Sequence, residues 1–211
     1  MTAEDWLTLA LALLLLVGIV AWYLASLATR LDRLHHRVES AAAALDNQLL
    51  RRAATSRVLA GSGLLDPASS LLLAGAASEA AAVGEADTVL DEGGPRPDAA
   101  EPRDGTLNRA REEFESDLSQ ALRATLTADV VEGVSADPYG RDLLADLGAA
   151  CWRATLARRF YNDAVSTARR LRGKRFVRWT RLAGRARWPR TFEMDDEPPG
   201  GLPRNLSPSP S

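Results

Sequence analysis

The side chains best suited to do chemistry in this chain are an arginine, a tyrosine and an asparagine that lie close together in the sequence. Arg158 and Tyr161 fall on the apolar stripe of an amphipathic helix, and Asn162 lies beside it. Polar groups on an inward face need partners, because an unpaired buried charge is costly. Antiparallel packing would bring this region toward Glu39 or Asp46 on the first helix. The pattern favours a structural ion pair that fixes the helix register, with a ligand site as the alternative.

A second candidate is the strongly basic arm at residues 173–192. Between residues 151 and 192 the chain carries thirteen Arg and Lys residues against a single acidic residue, Asp163. On a helical wheel, a basic face lies opposite an aromatic face, which suits an arm lying on anionic lipids of the inner leaflet. Packing of the aromatic rings on the other helices is an equal alternative, and nucleic-acid binding ranks last because no known nucleic-acid module accompanies the arm. The residues assigned to the membrane interface here are Lys174, Phe176, Arg178, Trp179, Arg181 and Arg185.

The other reactive residues give no catalytic, cofactor or metal site. His35 and His36 are adjacent, so they point in different directions on a helix, and no Cys or His partner is near them in the sequence. Cys151 is the single cysteine, which excludes an intrachain disulfide. Four acidic residues between 112 and 117 are predicted to form a solvated face that the helix dipole favours. We therefore predict that the protein is not an enzyme; an enzyme or sensor with a polar site around Arg158 is the alternative.

An uncharged run at residues 6–27 predicts that the protein is located at a membrane. As a helix it is roughly 33 Å long, enough to cross a bilayer core. Acidic residues precede the run and arginines follow it, so the positive-inside rule places residues 1–5 outside and the remainder in the cytoplasm. A cleaved signal peptide is the competing interpretation, but the start is acidic and the apolar core is long. We predict an uncleaved span at 6–28 in the plasma membrane, with three aromatic residues at the headgroups: Trp6, Trp22 and Tyr23.

The anchor is predicted to continue without a break into the soluble part. Apolar residues recur at alternating four- and three-residue spacing from Leu27 to Leu45, and the stripe reaches Ala53. This periodicity predicts one long helix with a seam that needs partner helices. The glycines of 61–63 are expected to end it.

Three further amphipathic helices are expected to complete the soluble part. Aspartate followed by proline is a typical helix start and opens two of them. Four helices without a convincing strand predict an all-α fold, an antiparallel up-down helical bundle over residues 29–172. The predicted bounds are Asp66-Pro67 to about Val83 for the second helix, an acidic loop at about 84–105, Thr106 to Gly133 for the third helix, a fourth helix from Asp137-Pro138, and a disordered tail at 193–211.

Two stretches resemble the LemA family. Residues 37–39 (Arg-Val-Glu) and 46–52 (Asp-Asn-Gln-Leu-Leu-Arg-Arg) resemble its first-helix signature. Residues 158–165 (Arg-Arg-Phe-Tyr-Asn-Asp-Ala-Val) resemble its last-helix signature, and Phe192-Glu193 its closing motif. The resemblance implies a short external N-terminus, one membrane span and a cytoplasmic antiparallel bundle, in a family without an established biochemical activity. The middle of the chain shows no such resemblance.

The separation of acidic and basic residues along the chain indicates which kinds of partner the protein binds. The formal net charge of −2 hides an acidic middle and a basic C-terminal part. We predict a non-enzymatic scaffold at the inner face of the plasma membrane, with the basic arm on anionic lipids and an acidic flank toward unidentified protein partners. Small residues along one face of the anchor also permit close helix pairing, and hence a homo-oligomer: Gly18, Ala21, Ala25 and Ala28.

Overall fold

The computed structural model describes residues 3–92, 109–172 and 189–202. Within these ranges the chain is all-helical and contains no strand, so the predicted all-α fold is confirmed. The helices are α1 (Ala3–Ala60), α2 (Pro67–Glu92), α3 (Arg109–Thr125), α4 (Ala128–Ser135) and α5 (Pro138–Arg172).

α1 is one continuous helix of 58 residues. It ends at Ala60, as the sequence predicts, and Gly63 then takes a φ of 75°, a left-handed conformation that glycine adopts without strain. The predicted inward stripe is confirmed at Leu45, Leu49 and Ala53, which are fully buried. Among the residues whose side chains are described, no helix combines the length and the apolarity that a membrane span requires.

The buried residues form two clusters, which show that α1 and α5 run antiparallel. In the first cluster Val38 of α1 joins Ala168 near the end of α5. In the second, Leu59 joins Leu144 near the start of α5, together with buried residues of α2, α3 and α4. α2 packs against both α1 and α3, so α2 and α3 close the part of the interior that the second cluster fills.

The two predicted aspartate–proline helix starts are confirmed. The carboxylate of Asp66 accepts hydrogen bonds from the backbone N–H groups of Ala68 and Ser69, at 3.0 and 3.1 Å. A hydrogen bond from the Ser69 side chain is the largest cause that lowers the pKa of Asp66 below its usual 3.8, and the backbone N–H groups of Ser69 and Ala68 lower it further. Asp137 accepts the backbone N–H of Gly140 at 3.1 Å and caps α5 in the same way.

The predicted third helix, 106–133, is wrong as a single element. α3 ends at Thr125, and α4 restarts after Thr127, which is extended with φ −68° and ψ 164°. The break lets Leu126 and Val131 both face the core, which one straight helix through 126 and 131 would not permit. α2 is also longer than predicted and runs through Val83 to Glu92. Residues 85–92 contain no glycine or proline, and the helix-stopping Gly-Gly-Pro sequence comes only at 93–95.

Residues 189–202, here named the strap, correct the prediction of a wholly disordered tail at 193–211. The strap has no helix, yet Phe192, Met194 and Leu202 are buried on the bundle. Proline content alone predicted disorder, whereas these apolar side chains supply the contacts that order the segment. Residues 173–188 and 203–211 lie outside the described part of the chain. The arm residues assigned to the membrane interface lie there too: Lys174, Phe176, Arg178, Trp179, Arg181 and Arg185.

Candidate functional site: a buried charged cluster and the strap groove

α1 and α3 bury charged side chains against each other in the middle of the bundle. Arg52 on α1 is 3% exposed and Glu115 on α3 is fully buried. Nη2 of Arg52 lies 2.7 Å from Oε2 of Glu115 and also donates to the Glu115 carbonyl at 2.7 Å. Nη1 of Arg52 donates to the Ser119 hydroxyl at 2.9 Å. The first pair is therefore both desolvated and hydrogen-bonded.

A second arginine completes this charged cluster. Arg111 is fully buried, with its Nε 3.3 Å from Oε1 of Glu115 and its Nη2 2.8 Å from Oδ1 of Asp46. The contact with Asp46 is an ion pair whose angles do not make it a hydrogen bond, and Nη1 of Arg111 likewise has no hydrogen-bond partner among the described residues. Two guanidinium groups and two carboxylates balance in charge, so the cluster links α1 to α3 and leaves no excess charge for a ligand.

The charged cluster corrects two sequence predictions. Glu115 was expected on a solvated acidic face, but Glu115 and Arg111 lie on the same helical face as the buried Leu118 and point inward. Asp46 was expected near Arg158 and instead pairs with Arg111. The sequence feature that indicates this inward polar face is the four-residue spacing of 111, 115 and 119, which places the three side chains on one face of a helix.

Arg158, Tyr161 and Asn162 are brought together as predicted, but their partners lie on the strap and not on α1. Nη2 of Arg158 lies 2.7 Å from Oδ2 of Asp196, and the Tyr161 hydroxyl donates to the Arg190 carbonyl at 2.9 Å. The Asn162 amide donates to the Phe192 carbonyl at 3.1 Å, and its oxygen accepts the Phe192 N–H at 2.8 Å.

The expected partner of Arg158 on α1 was therefore wrong. The strap supplies Asp196 directly beside Arg158, so the arginine does not need a carboxylate from α1. Glu39 is instead an exposed carboxylate that pairs with His35 at 3.3 Å and His36 at 3.1 Å along its own helix.

α3 holds the other side of the strap. The Glu112 carboxylate accepts the Glu193 N–H at 2.8 Å, and the Ser116 hydroxyl accepts the Asp195 N–H at 3.1 Å. Arg123 forms a two-point ion pair with the Asp195 carboxylate. Hydrogen bonding to Arg123 lowers the pKa of Asp195, and the same pairing raises the pKa of Arg123. We call the surface of α3 and α5 that contacts the strap the strap groove.

Ser119 connects the charged cluster to the strap. Its hydroxyl accepts a hydrogen bond from Nη1 of Arg52 and donates to the Asp195 carbonyl at 2.6 Å. A chain of polar contacts thus runs from α1 through α3 to the strap. These contacts join the packing of α1, α3 and the strap into one polar network.

A cavity of about 360 Å³ lies between α5 and the end of the strap. Its wall includes Cys151, whose pKa is raised by burial, so the thiol is protonated at neutral pH and is a poor nucleophile. No group of three His, Cys, Asp or Glu side chains in the described ranges is arranged to hold a metal ion. The other lining residues are Gly148, Trp152, Thr155, Arg159, Asp196, Glu197, Pro198 and Leu202.

These features define an all-helical bundle closed by a C-terminal strap. The chain matches no family model, no curated protein and no solved structure. The resemblance to the LemA family over residues 37–39, 46–52, 158–165 and 192–193 therefore stays a prediction.

Arg158→Ala is expected to destabilise the protein modestly. The ion pair with Asp196 is partly buried, at 17% and 21% side-chain exposure, so we expect a loss of about 1 kcal/mol. Urea unfolding of the full chain in detergent, followed by circular dichroism, measures it. Arg153→Ala, an exposed arginine on the same helix, is the matched control and should leave the unfolding midpoint unchanged. Equal effects of the two substitutions would contradict this assignment.

Gly84→Ala is expected to disturb the charged cluster from α2. A methyl group there would lie 2.5 Å from Nη1 of Arg111, while the guanidinium is held by Glu115 and Asp46. We expect a loss of about 1–3 kcal/mol in the free energy of unfolding. Gly75→Ala on the same helix meets nothing within 4 Å and should be neutral or gain up to about 1 kcal/mol. A neutral result at both positions would argue against the buried position of Arg111.

The Arg123–Asp195 pair is expected to make strap attachment sensitive to acid. The pKa of Asp195 is lower in the folded protein than its usual 3.8, so the pair stabilises at neutral pH and its contribution is lost as the pH falls through the folded pKa. The difference in stability between the native chain and Asp195→Asn should be constant from about pH 8 to 5 and shrink below about pH 4. Unfolding titrations at a series of pH values measure it. A difference that already shrinks near neutral pH would be inconsistent with the pair.

Proposed function

We propose that this chain is a single-pass, membrane-anchored LemA-like protein that acts as a non-enzymatic scaffold at the inner face of the plasma membrane. The observation that carries the proposal is the contrast along α1. The apolar side chains described between Leu11 and Tyr23 are exposed, with Leu14 at 75%, whereas Leu45 and Leu49 on the same helix are fully buried. Exposed apolar surface of this length calls for a cover that the bundle does not supply, and lipid would supply it.

The residues at the two ends of this exposed segment support the same proposal. Trp6 lies near one end, and Trp22 and Tyr23 near the other, all with exposed rings suited to the headgroup layer. Arg33 and Arg37 follow on the exposed side of α1, consistent with a cytoplasmic bundle. The apolar run of the sequence, 6–27, is longer than the portion whose side chains are described.

The proposal of a scaffold, not an enzyme, is supported by how the polar side chains are used. The charged cluster is internally neutral, and Arg158, Tyr161 and Asn162 are each bonded to the strap. For these three to bind a substrate, the strap would first have to leave. In the described structure these polar side chains are therefore used for contacts within the chain and are not presented to a substrate.

Exposed charge supports the proposed partners. α2 and α3 contact each other and carry exposed acidic residues, with Glu79 on α2 and Glu113 and Asp117 on α3. We propose that this acidic flank faces protein partners while the basic arm lies on anionic lipids. Self-association through the anchor is compatible with this arrangement, and nucleic-acid binding is the least supported.

In-cell cross-linking tests the scaffold directly. The full-length chain is isolated from native membranes and the cross-linked proteins are identified by mass spectrometry. The comparison variant carries Glu113→Lys and Asp117→Lys on the acidic flank, and the matched control carries Arg153→Glu on α5. We expect one reproducible partner that the flank variant loses and the control retains. Recovery of no specific partner, or equal recovery by both variants, would refute the scaffold.

A further inference from the structure

We infer that the strap groove is a peptide-binding site of which the strap is the resident ligand. Its proposed partner is an acidic segment of another protein, extended, with hydrophobic residues two positions apart followed directly by two acidic residues. The inference rests on the proposed scaffold function, and it adds to the acidic flank a second contact surface, which binds an acidic segment of a partner. The groove and its contacts stand independently of the membrane anchor.

Side chains of the groove form hydrogen bonds with the backbone of the strap, and this is the first feature that suits the groove to binding a peptide. Asn162 pairs with both the N–H and the C=O of Phe192, as a neighbouring strand would. Glu112 and Ser116 accept the next two bonded N–H groups, those of Glu193 and Asp195. Backbone hydrogen bonds of this kind give affinity that does not depend on the ligand's sequence.

Selectivity for the sequence of the bound peptide comes from alternate apolar side chains of the peptide and from two arginines of the groove. Phe192 and Met194 are buried while Glu193 between them is exposed, which is the period of two expected for an extended ligand. The next two residues of the strap, both aspartates, pair with arginines on opposite walls of the groove. The pairs are Asp195 with Arg123 on α3 and Asp196 with Arg158 on α5.

The strap can leave without breaking a helix. Among the described residues, the backbone–backbone hydrogen bond of the strap is internal, from Leu202 N–H to the Pro199 carbonyl; its contacts with the bundle use helix side chains. α5 ends at Arg172, and residues 173–188 separate it from the strap. A covalent link of that length gives the resident segment a high effective concentration, so a partner segment competes when it is abundant or binds more tightly.

Exchange of the strap after cleavage tests the inference. A protease site is inserted between Gly173 and Lys174 of the full-length protein, the purified protein is cleaved in detergent, and a fluorescent peptide of residues 189–202 is titrated in. We expect saturable binding followed by fluorescence anisotropy. A peptide with Asp195→Asn and Asp196→Asn should bind at least about tenfold more weakly, because it loses both ion pairs. The control peptide, Glu193→Gln, should bind as the native one does.

Three results would overturn the inference. The labelled peptide would fail to replace the cleaved strap, the asparagine peptide would bind as tightly as the native one, or release of the strap would abolish the helical circular dichroism signal. A dimer of the intact chain that the peptide dissociates would assign the groove to a second copy, against the partner proposed here. The peptide assay contains neither lipid nor partner protein, so its result does not depend on the cross-linking experiment. If the peptide binds and cross-linking recovers no partner, the proposed scaffold function is refuted and the peptide-binding groove is not.

Discussion

Glu115→Ala is expected to lower the free energy of unfolding by about 3–5 kcal/mol. Glu115 is fully buried and is the carboxylate that both Arg52 and Arg111 contact. Its removal leaves two desolvated guanidinium groups with Asp46 as the remaining carboxylate of the cluster. Because a domain is stable by only about 5–15 kcal/mol, a loss of this size is a large part of the total. Urea unfolding of the full chain in detergent measures it.

Glu113→Ala is the matched control for this prediction. Glu113 lies on the same helix, two residues away and exposed, so its removal should change stability by no more than about 0.5 kcal/mol. If Glu115→Ala were as stable as Glu113→Ala, the buried cluster would not be the element that joins α1 to α3.

Phe192→Ala is expected to detach the strap. The ring is 1% exposed and shares its cluster with Tyr161 and Val165 of α5 and Leu45 of α1. Truncating a buried phenylalanine costs about 3–5 kcal/mol. Here we expect the substitution to weaken the docking of the strap on the bundle before it weakens the packing of the helices. Hydrogen exchange of residues 189–202, followed by mass spectrometry, should therefore accelerate about a hundredfold or more, while α1 and α5 keep their protection.

Glu193→Ala provides the comparison on the strap itself. Its side chain is exposed, and its backbone N–H bond to Glu112 does not depend on the side chain. Exchange in the strap should stay at the native rate. Equal acceleration in both variants, or uniform loss of protection in all helices with Phe192→Ala, would show that the strap is not a separately docked unit.

The helical framework could be predicted because its signals are local. Asp66 and Asp137 mark helix starts by a hydrogen bond to a residue two or three positions away, and Gly63 marks a stop by its own conformation. The stripe of α5 was likewise found from its spacing, and Leu144, Leu147 and the other apolar members are buried. Local chemistry of this kind is contained in a short window of sequence.

The strap could not be predicted because its contacts are long-range. Phe192 meets Asn162 across 30 residues, and Asp195 meets Ser116 across 79. In the sequence, three apolar residues among several acidic residues, prolines and glycines have the composition of a tail. The folded bundle gives both residues their partners: Phe192 packs with α1 and α5, and Asp195 bonds to α3.

The charged cluster was missed for a related reason. A glutamate early in a helix is stabilised by the helix dipole at a solvated position, so Glu115 satisfied a local rule without being buried. Its burial depends on Arg52, which lies 63 residues away in the sequence. The arginine belongs to the stretch that resembles the LemA first-helix signature, and its role as the partner of Glu115 became apparent only from the packing of α1 on α3.

Membrane extraction tests the central claim, that α1 anchors this bundle in a bilayer, most directly. Membranes containing the full-length chain are washed with alkaline carbonate, and the protein is followed in pellet and supernatant. The test variant carries Leu13→Arg and Leu16→Arg in the exposed part of α1. The matched control carries Leu71→Arg and Leu72→Arg, two leucines of α2 that are also more than half exposed. We predict that the native chain and the control stay in the pellet and the α1 variant is released. Release of the native chain by carbonate would contradict the account.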